Sequence, residues 1–292
     1  MLPLVSRSAI PHPRPGLTVP RHFLEIADLS PDDVDELLAM ADDGPRAAAL
    51  AGETFLSAFF QESTRTRLGF MAAAARQGAA VLDMGDADRL RREPSEDQQM
   101  VLAEVADLVA VRHWDPTFVT ELASINRCAV VNAGSGSKSH PTQALIDAYT
   151  LINVLGGDTT GVTVLFLGDA LLRSQESFRE LTTHLGIVVS HCAVSGEDES
   201  VEDQILAADV VYIQSLSSTD YRSPHLNVDP HGPALPARLA DSIARSRALI
   251  MHALPRGPEL PDSLMNDRRC IVTKQVECGL PVRSAVLRWV MT

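Results

Sequence analysis

From Thr54 onward, short apolar runs alternate with longer stretches whose apolar residues recur at helical spacing, and this alternation constrains the fold more than any other feature of the chain. An apolar run bounded by turn residues and followed by a helical stretch reads as a strand–helix unit. Repeated units of that kind build parallel sheets with helices on their faces. The runs fall at Thr54–Phe60, Ala79–Met84, Ala106–Val111 and Cys128–Asn132, and again at Val162–Leu167, Ile187–Ala193, Val210–Gln214 and Ala248–His252. Between the two sets lies Pro141–Leu155, a long helical stretch that ends at Gly156-Gly157, a natural hinge. The expected class is therefore α/β, with two doubly wound parallel-sheet domains joined by a long helix and a last amphipathic helix over Val282–Met291. A chain of 292 residues has room for two such cores.

Within the first set, Phe59 to Phe70 (Phe-Phe-Gln-Glu-Ser-Thr-Arg-Thr-Arg-Leu-Gly-Phe) carries the strongest chemical signal. Ser63 and Thr64 fall at a strand-to-helix corner, ahead of a helix expected over Leu68–Arg76. First-turn N–H groups, the helix dipole, the hydroxyls and the Arg65 guanidinium together suit a phosphate dianion. The competing reading is an ordinary hydroxyl cap followed by a solvated arginine pair. Arg112 ends the third run, at the C-terminal edge of a parallel sheet where side chains face a ligand crevice. Composition narrows the partners: a net charge of −13 excludes nucleic acid and anionic membrane, so a small anion must be captured by locally placed arginines. Gly134-Ser135-Gly136 lacks the third glycine of a dinucleotide fingerprint, and no nicotinamide cofactor is expected. Cys128, Cys192, Cys270 and Cys278 fit no zinc spacing and read as reduced thiols, so no metal is expected. Residues 1–20, with five prolines and no apolar core, read as a flexible leader, and Asp86–Asp97 as an exposed loop.

Ser63-Thr64-Arg65-Thr66-Arg67 after an apolar strand resembles the carbamoyl-phosphate signature of the aspartate and ornithine carbamoyltransferases. His140-Pro141-Thr142-Gln143 resembles a second signature of that family, and Met251-His252-Ala253-Leu254-Pro255-Arg256 its His-x-Leu-Pro turn. The three stand in the family's order, and the resemblance runs from Arg21 to the C-terminus. It implies that Ser63, Thr64, Arg65 and Thr66 hold the phosphate of carbamoyl phosphate. Arg112, His140 and Thr66 would donate to the carbonyl oxygen, Gln143 would accept from the carbamoyl amide, and Leu254 would meet both substrates. It also implies a carbamoyl-phosphate-binding domain over residues 21–145, completed by a C-terminal helix (280–292) packed back on it, and an amine-binding domain over 146–279. The implied assembly is a cytoplasmic homotrimer or multiple of trimers, with Arg91 or Arg92 reaching a neighbouring subunit's site. A solvated charge run is the alternative for those two arginines.

The amine side departs from the aspartate pattern. In Asp209-Val210-Val211-Tyr212-Ile213-Gln214-Ser215-Leu216-Ser217, serine occupies the places, Ser215 and Ser217, where the aspartate enzymes typically carry arginine and glutamine. Arg173 stands one residue earlier than the family's usual arginine, and Ala253 replaces the cysteine of the ornithine enzymes. The expected amine site is Arg173, Ser215, Ser217 and Leu254. The reading is a carbamoyltransferase whose acceptor is an amine other than free L-aspartate, such as a diaminopropionate-type side chain. The alternatives are a conventional aspartate carbamoyltransferase in which Arg173, Arg256 or Arg283 compensates, and a catalytically silent scaffold homologue.

Overall fold

Local sequence sets where the first elements begin. Helix α1 (Pro31–Asp42) opens on a capping box: the Ser30 hydroxyl accepts from the Asp33 N–H while the Asp33 carboxylate accepts from the Ser30 N–H, with Pro31 at the first helical position. The computed structural model describes residues 20–85, 93–137, 139–168, 172–194, 200–216 and 231–292. The expectations for the leader, for Arg91 and Arg92, and for Ser217 lie outside the described residues.

Two four-stranded parallel sheets follow in the expected order. The first contains β1 (Thr54–Phe59), β2 (Ala80–Asp83), β3 (Leu108–His113) and β4 (Ala129–Ser135), arranged β2-β1-β3-β4. The second contains β5 (Thr163–Leu167), β6 (Val188–Cys192), β7 (Val210–Ile213) and β8 (Leu249–Met251), arranged β6-β5-β7-β8. Each sheet therefore changes its direction of growth once, between β1 and β3 and between β5 and β7, and at such a switch point the C-terminal strand ends open a crevice. The central strands β1 and β3 are buried almost throughout, as parallel strands covered on both faces must be; β4 stands at an edge but is buried too and pairs with Phe23, whereas the other edge strands β2 and β6 are largely exposed.

The first sheet is covered by α1, α2 (Thr64–Arg76), α3 (Ser95–Val105) and α4 (Thr117–Ser124), and the second by α6 (Arg173–Leu185), α7 (Ser200–Ala207) and α8 (Ala237–Arg245). The long helix α5 (Pro141–Leu155) joins them and stops where Gly156 takes a left-handed φ of +81°. The short helix α9 (Asp262–Met265) precedes the last one, α10 (Val272–Trp289). One apolar core runs through both halves, from Phe55 and Phe70 through Leu145 on α5 and Val286 on α10 to Phe166 and Tyr212. Smaller cores lie on the outer faces, around Val111 and Phe118 in one half and Ile213 and Ile243 in the other.

Several boundaries differ from the sequence reading. The last helix begins at Val272, ten residues before the expected Val282, and carries Pro281 in its interior. Proline removes one helical hydrogen bond and ordinarily stops a helix. Here burial of Val272, Cys278, Val282 and Val286 along one face outweighs that loss, so the helix spans both halves. Its end packs back on the first half, where Trp289 Nε1 donates to Glu36 at 3.0 Å and Arg288 Nη1 to Gln77 Oε1 at 3.0 Å. β4 continues through Ser135 rather than ending at Asn132, because the Asn132 amide donates to Leu24 O, Ser135 Oγ and Ser139 Oγ and accepts the Gly134 N–H. α3 begins at Ser95, inside the stretch read as a loop, and α2 begins at Thr64 rather than at Leu68. Among the described residues, no helix is long and apolar enough to cross a membrane.

Candidate active site

The switch points of the two sheets meet at a cleft of about 400 Å³. Its first wall is the corner between β1 and α2. Ser63 caps α2 with an extended backbone, and its hydroxyl donates to Thr66 Oγ1 at 2.9 Å instead of closing a side-chain cap. The first N–H groups of a helix have no intrahelical acceptor, so this turn offers free donors to the cleft. The two arginines of the motif separate. Arg65 lines the cleft, and burial lowers its pKa, while Arg67 turns away to bind Asp83 on β2 with both arms.

Arg112, next to last in β3, is buried with Nη1 donating to Ala133 O at 3.2 Å and lying 3.4 Å from His140 Nε2. Gly134 makes room for it: at a φ of +114° it lies where a Cβ would stand 2.8 Å from Arg112 Nη1. His140 precedes Pro141 at the start of α5 but does not cap the helix through its ring. Its backbone N–H donates to Ser177 Oγ on α6 at 3.0 Å, which ties the first half of the cleft to the second. Burial first, then Arg112, Arg173, Arg283 and Arg65, hold the His140 pKa well below the usual imidazole range, so the ring is neutral at physiological pH.

Gln143 lies one turn further along α5. Its Nε2 donates to Asp147 Oδ1 at 2.9 Å, which leaves Oε1 as the atom available to a ligand. Asp147 is fully buried and also accepts from Gln275 Nε2 at 2.7 Å and Tyr212 OH at 2.8 Å. Gln275 Oε1 in turn accepts the His252 N–H at 3.1 Å. One buried network therefore joins α5, β7, α10 and the turn after β8.

From the second half, Arg173 enters the cleft as the first residue of α6, buried, with Nη1 donating to Gly136 O at 2.9 Å. The one-residue offset in sequence does not keep it out of the site. Ser215 lines the cleft just beyond β7. Leu254 lines it from a turn held at a positive φ of 56°, a conformation that costs a branched residue about 1–2 kcal/mol and must be imposed by its surroundings. His252 imposes it: Nδ1 accepts the Leu254 N–H at 2.8 Å, and Nε2 donates at 3.0 Å to Glu259, which also accepts the Gly257 N–H at 2.7 Å. Arg256 does not line the cleft and pairs with Asp262 at 2.7 Å. Arg283 faces a second cavity of about 310 Å³ behind Arg65 and Gln143. Neither therefore stands where Arg173 does. Gln175 and Gln214 line the cleft and were not foreseen, since no local pattern marks a glutamine as cleft-facing. Among the described residues, no group of three or more His, Cys, Asp or Glu could hold a metal ion.

Residues 21–153 match the model of the aspartate/ornithine carbamoyltransferase carbamoyl-phosphate-binding domain. The chain is 33% identical to the aspartate carbamoyltransferase catalytic subunit of Pelagibacter ubique, over 92% of this chain and 95% of the relative. It is 34% identical to that of Agrobacterium fabrum, over 91% and 94%. It belongs to the aspartate/ornithine carbamoyltransferase family. The fold agrees: ornithine carbamoyltransferase from Thermus thermophilus superposes with a TM-score of 0.77 at 23% identity, covering 94% of this chain and all of that one. Aspartate transcarbamoylase from Trypanosoma cruzi, in complex with carbamoyl aspartate and phosphate, gives 0.73 at 23% identity, over 92% and 95%.

Within this carbamoyltransferase, a strongly acidic chain gathers Arg65, Arg112 and Arg173 around one neutral imidazole. Three guanidiniums that stay charged at neutral pH make such a site attractive to anions.

Proposed function

We propose that this carbamoyltransferase passes the carbamoyl group of carbamoyl phosphate to an amine other than free L-aspartate, with a diaminopropionate-type side chain as a fitting acceptor. The observation that carries the proposal is the second wall of the cleft, where, among the described residues, Ser215, Gln175 and Gln214 stand with Arg173 as the one cation. A hydroxyl in place of a bidentate guanidinium forgoes about 2–4 kcal/mol of binding to a dicarboxylate.

In this reading residues 21–145 with 280–292 bind carbamoyl phosphate, and residues 146–279 bind the amine. The family-model match over 21–153 supports the first assignment. Ser63, Thr64, Arg65 and Thr66 hold the phosphate on the first turn of α2. Arg112, Thr66 and His140 stabilise the oxygen of the carbamoyl carbonyl, and Gln143 Oε1 accepts from the carbamoyl NH₂. The neutral amine attacks the carbonyl carbon, negative charge builds on that oxygen, and the C–O bond to phosphate breaks as the nitrogen proton passes to a phosphate oxygen. Positioning and fixed donors supply the rate enhancement, and no covalent intermediate is needed. The active form is a homotrimer, or a multiple of trimers, whose sites take Arg91 or Arg92 from a neighbour. Recovery of activity on mixing Arg65→Ala chains with chains lacking both loop arginines tests that sharing, and absence of recovery in verified hybrids refutes it.

The relatives' names favour a second reading, a conventional aspartate carbamoyltransferase in which Arg173 or another cation compensates for Ser215 and Ser217. Steady-state kinetics separate the two. Weak saturation by L-aspartate, improved by arginine at Ser215 with glutamine at Ser217, is the expected result. Efficient carbamoylation of sub-millimolar L-aspartate by the unmodified enzyme refutes the proposal.

A further inference from the structure

Two side chains of the cleft are left with unmet hydrogen-bonding demand. Gln214, one residue beyond β7, is 1% exposed, and neither its Oε1 nor its Nε2 has a partner. Gln175, in the first turn of α6, is equally buried; its Oε1 accepts from Ser174 Oγ at 3.2 Å while its Nε2 has no acceptor. Both line the cleft beside Arg173 and Ser215. Gly168, at the end of β5, keeps the place open for Gln214, since a Cβ there would stand 2.8 Å from the glutamine Cβ. Buried polar groups are paired in all but a few cases, and an orphaned amide in a ligand cleft marks where a ligand's own polar atoms go.

We propose that Gln175 and Gln214 form a subsite for a head group on the acceptor that presents a hydrogen-bond donor and a hydrogen-bond acceptor side by side: a carboxamide or an ammonium–carboxylate pair. The inference rests on the carbamoyl-transfer reading and narrows its acceptor. A bare carboxylate has only lone pairs; it would satisfy the two Nε2 groups but leave Gln214 Oε1 facing an anion. An alkyl end would satisfy nothing. A head group with both functions engages Gln214 at both ends, and its oxygen also receives Gln175 Nε2 and the charge of Arg173. Exchanging the O and N of the Gln214 amide leaves the argument intact, because the pair still presents one donor and one acceptor.

The test uses the full-length enzyme saturated with a phosphonate mimic of carbamoyl phosphate. It is titrated calorimetrically with four amines of matched length: 3-aminopropanamide, 2,3-diaminopropionate, 3-aminopropionate and propylamine. At least one of the first two should bind about tenfold or more tightly than both of the others. Which of the two binds better assigns the head group as carboxamide or ammonium–carboxylate pair. Gln214→Leu should reduce the preference to within about threefold while raising the melting temperature of the ligand-free enzyme, because it deletes two orphaned polar atoms. Gln175→Met should reduce the same preference independently. Equal or tighter binding of 3-aminopropionate or propylamine, or a preference that survives Gln214→Leu, overturns the subsite. Failure of the phosphonate itself to bind would strike the carbamoyl-phosphate reading instead, and the amine series is then read on the ligand-free enzyme.

Discussion

Replacing Asp147 with asparagine isolates the charge at the centre of the network that joins the two halves of the cleft. The carboxylate is fully buried and accepts from Gln143, Gln275 and Tyr212. Burial raises its pKa from 3.8 to about 6 against the opposing pull of those three hydrogen bonds. An acid whose folded pKa lies above its unfolded value holds its proton more tightly when folded. Its contribution to stability is therefore full below about pH 4 and is lost as pH rises through about 6. The displacement corresponds to about 3 kcal/mol in all, of which about 2 kcal/mol falls between about pH 4.5 and pH 8. Asparagine carries no such charge, and its Oδ1 still accepts from Gln143 and Gln275, so the orientation of Gln143 is kept. Urea unfolding across that range should show Asp147→Asn gaining about 2 kcal/mol on the unmodified enzyme from the acid end to the alkaline end. A difference independent of pH, or one that shrinks as pH rises, refutes the reasoning. Asp147→Leu leaves the donors of Gln275 and Tyr212 buried and unpaired and frees Gln143, and should destabilise the enzyme at every pH.

Arg65→Ala should weaken calorimetric binding of a phosphonate mimic of carbamoyl phosphate by about 2–4 kcal/mol, and unchanged affinity refutes the assigned corner. Arg283 is buried, its Nε lacks an acceptor, and burial with the nearby Arg65 lowers its pKa to about 10. Arg283→Met should therefore stabilise the ligand-free enzyme by about 1–3 kcal/mol in urea unfolding, and a loss of more than about 1 kcal/mol would show an unrecognised partner. His252→Ala removes the donor to buried Glu259 and the support of the Leu254 turn, and should cost about 3–5 kcal/mol of stability; a cost below about 1 kcal/mol would show that the turn holds itself.

What the sequence made legible is what is encoded within a few residues. Strands buried on both faces leave unbroken apolar runs, so the central β1 and β3 and the buried edge strand β4 were readable, and the strand-to-helix corner at Ser63 was readable from its hydroxyls and arginines. What escaped depends on distant partners. The division of labour between Arg65 and Arg67 is set by Asp83, sixteen residues on and on another strand. The reach of β4 past Asn132 is set by bonds to Leu24 and Ser139. The start of α10 was hidden by Pro281, a sound local stop signal overridden by packing against both halves. The unmet demand of Gln175 and Gln214 is a property of the assembled cleft, and no periodicity or motif announces it.

The same strand order, used twice, explains why one half-site matches the family signature closely and the other departs from it. In each half the chain reverses sheet growth once, so each contributes one crevice, and apposition of the two makes the cleft. The carbamoyl-phosphate half is built from elements that also hold the core. Arg112 needs the space above Gly134, His140 begins α5, and Gln143 is oriented by a network that reaches β7 and α10. A change there disturbs packing as well as binding. The half proposed to bind the amine places Ser215 and Gln214 just past the end of β7, and neither side chain takes part in the Asp147 network. On the proposed reading, their substitution should alter what the cleft recognises while leaving Tyr212, Asp147 and Gln275 in place. On that reading, specificity for the amine is structurally separable from carbamoyl transfer, because a difference between two acceptors requires only that the groups meeting them differ.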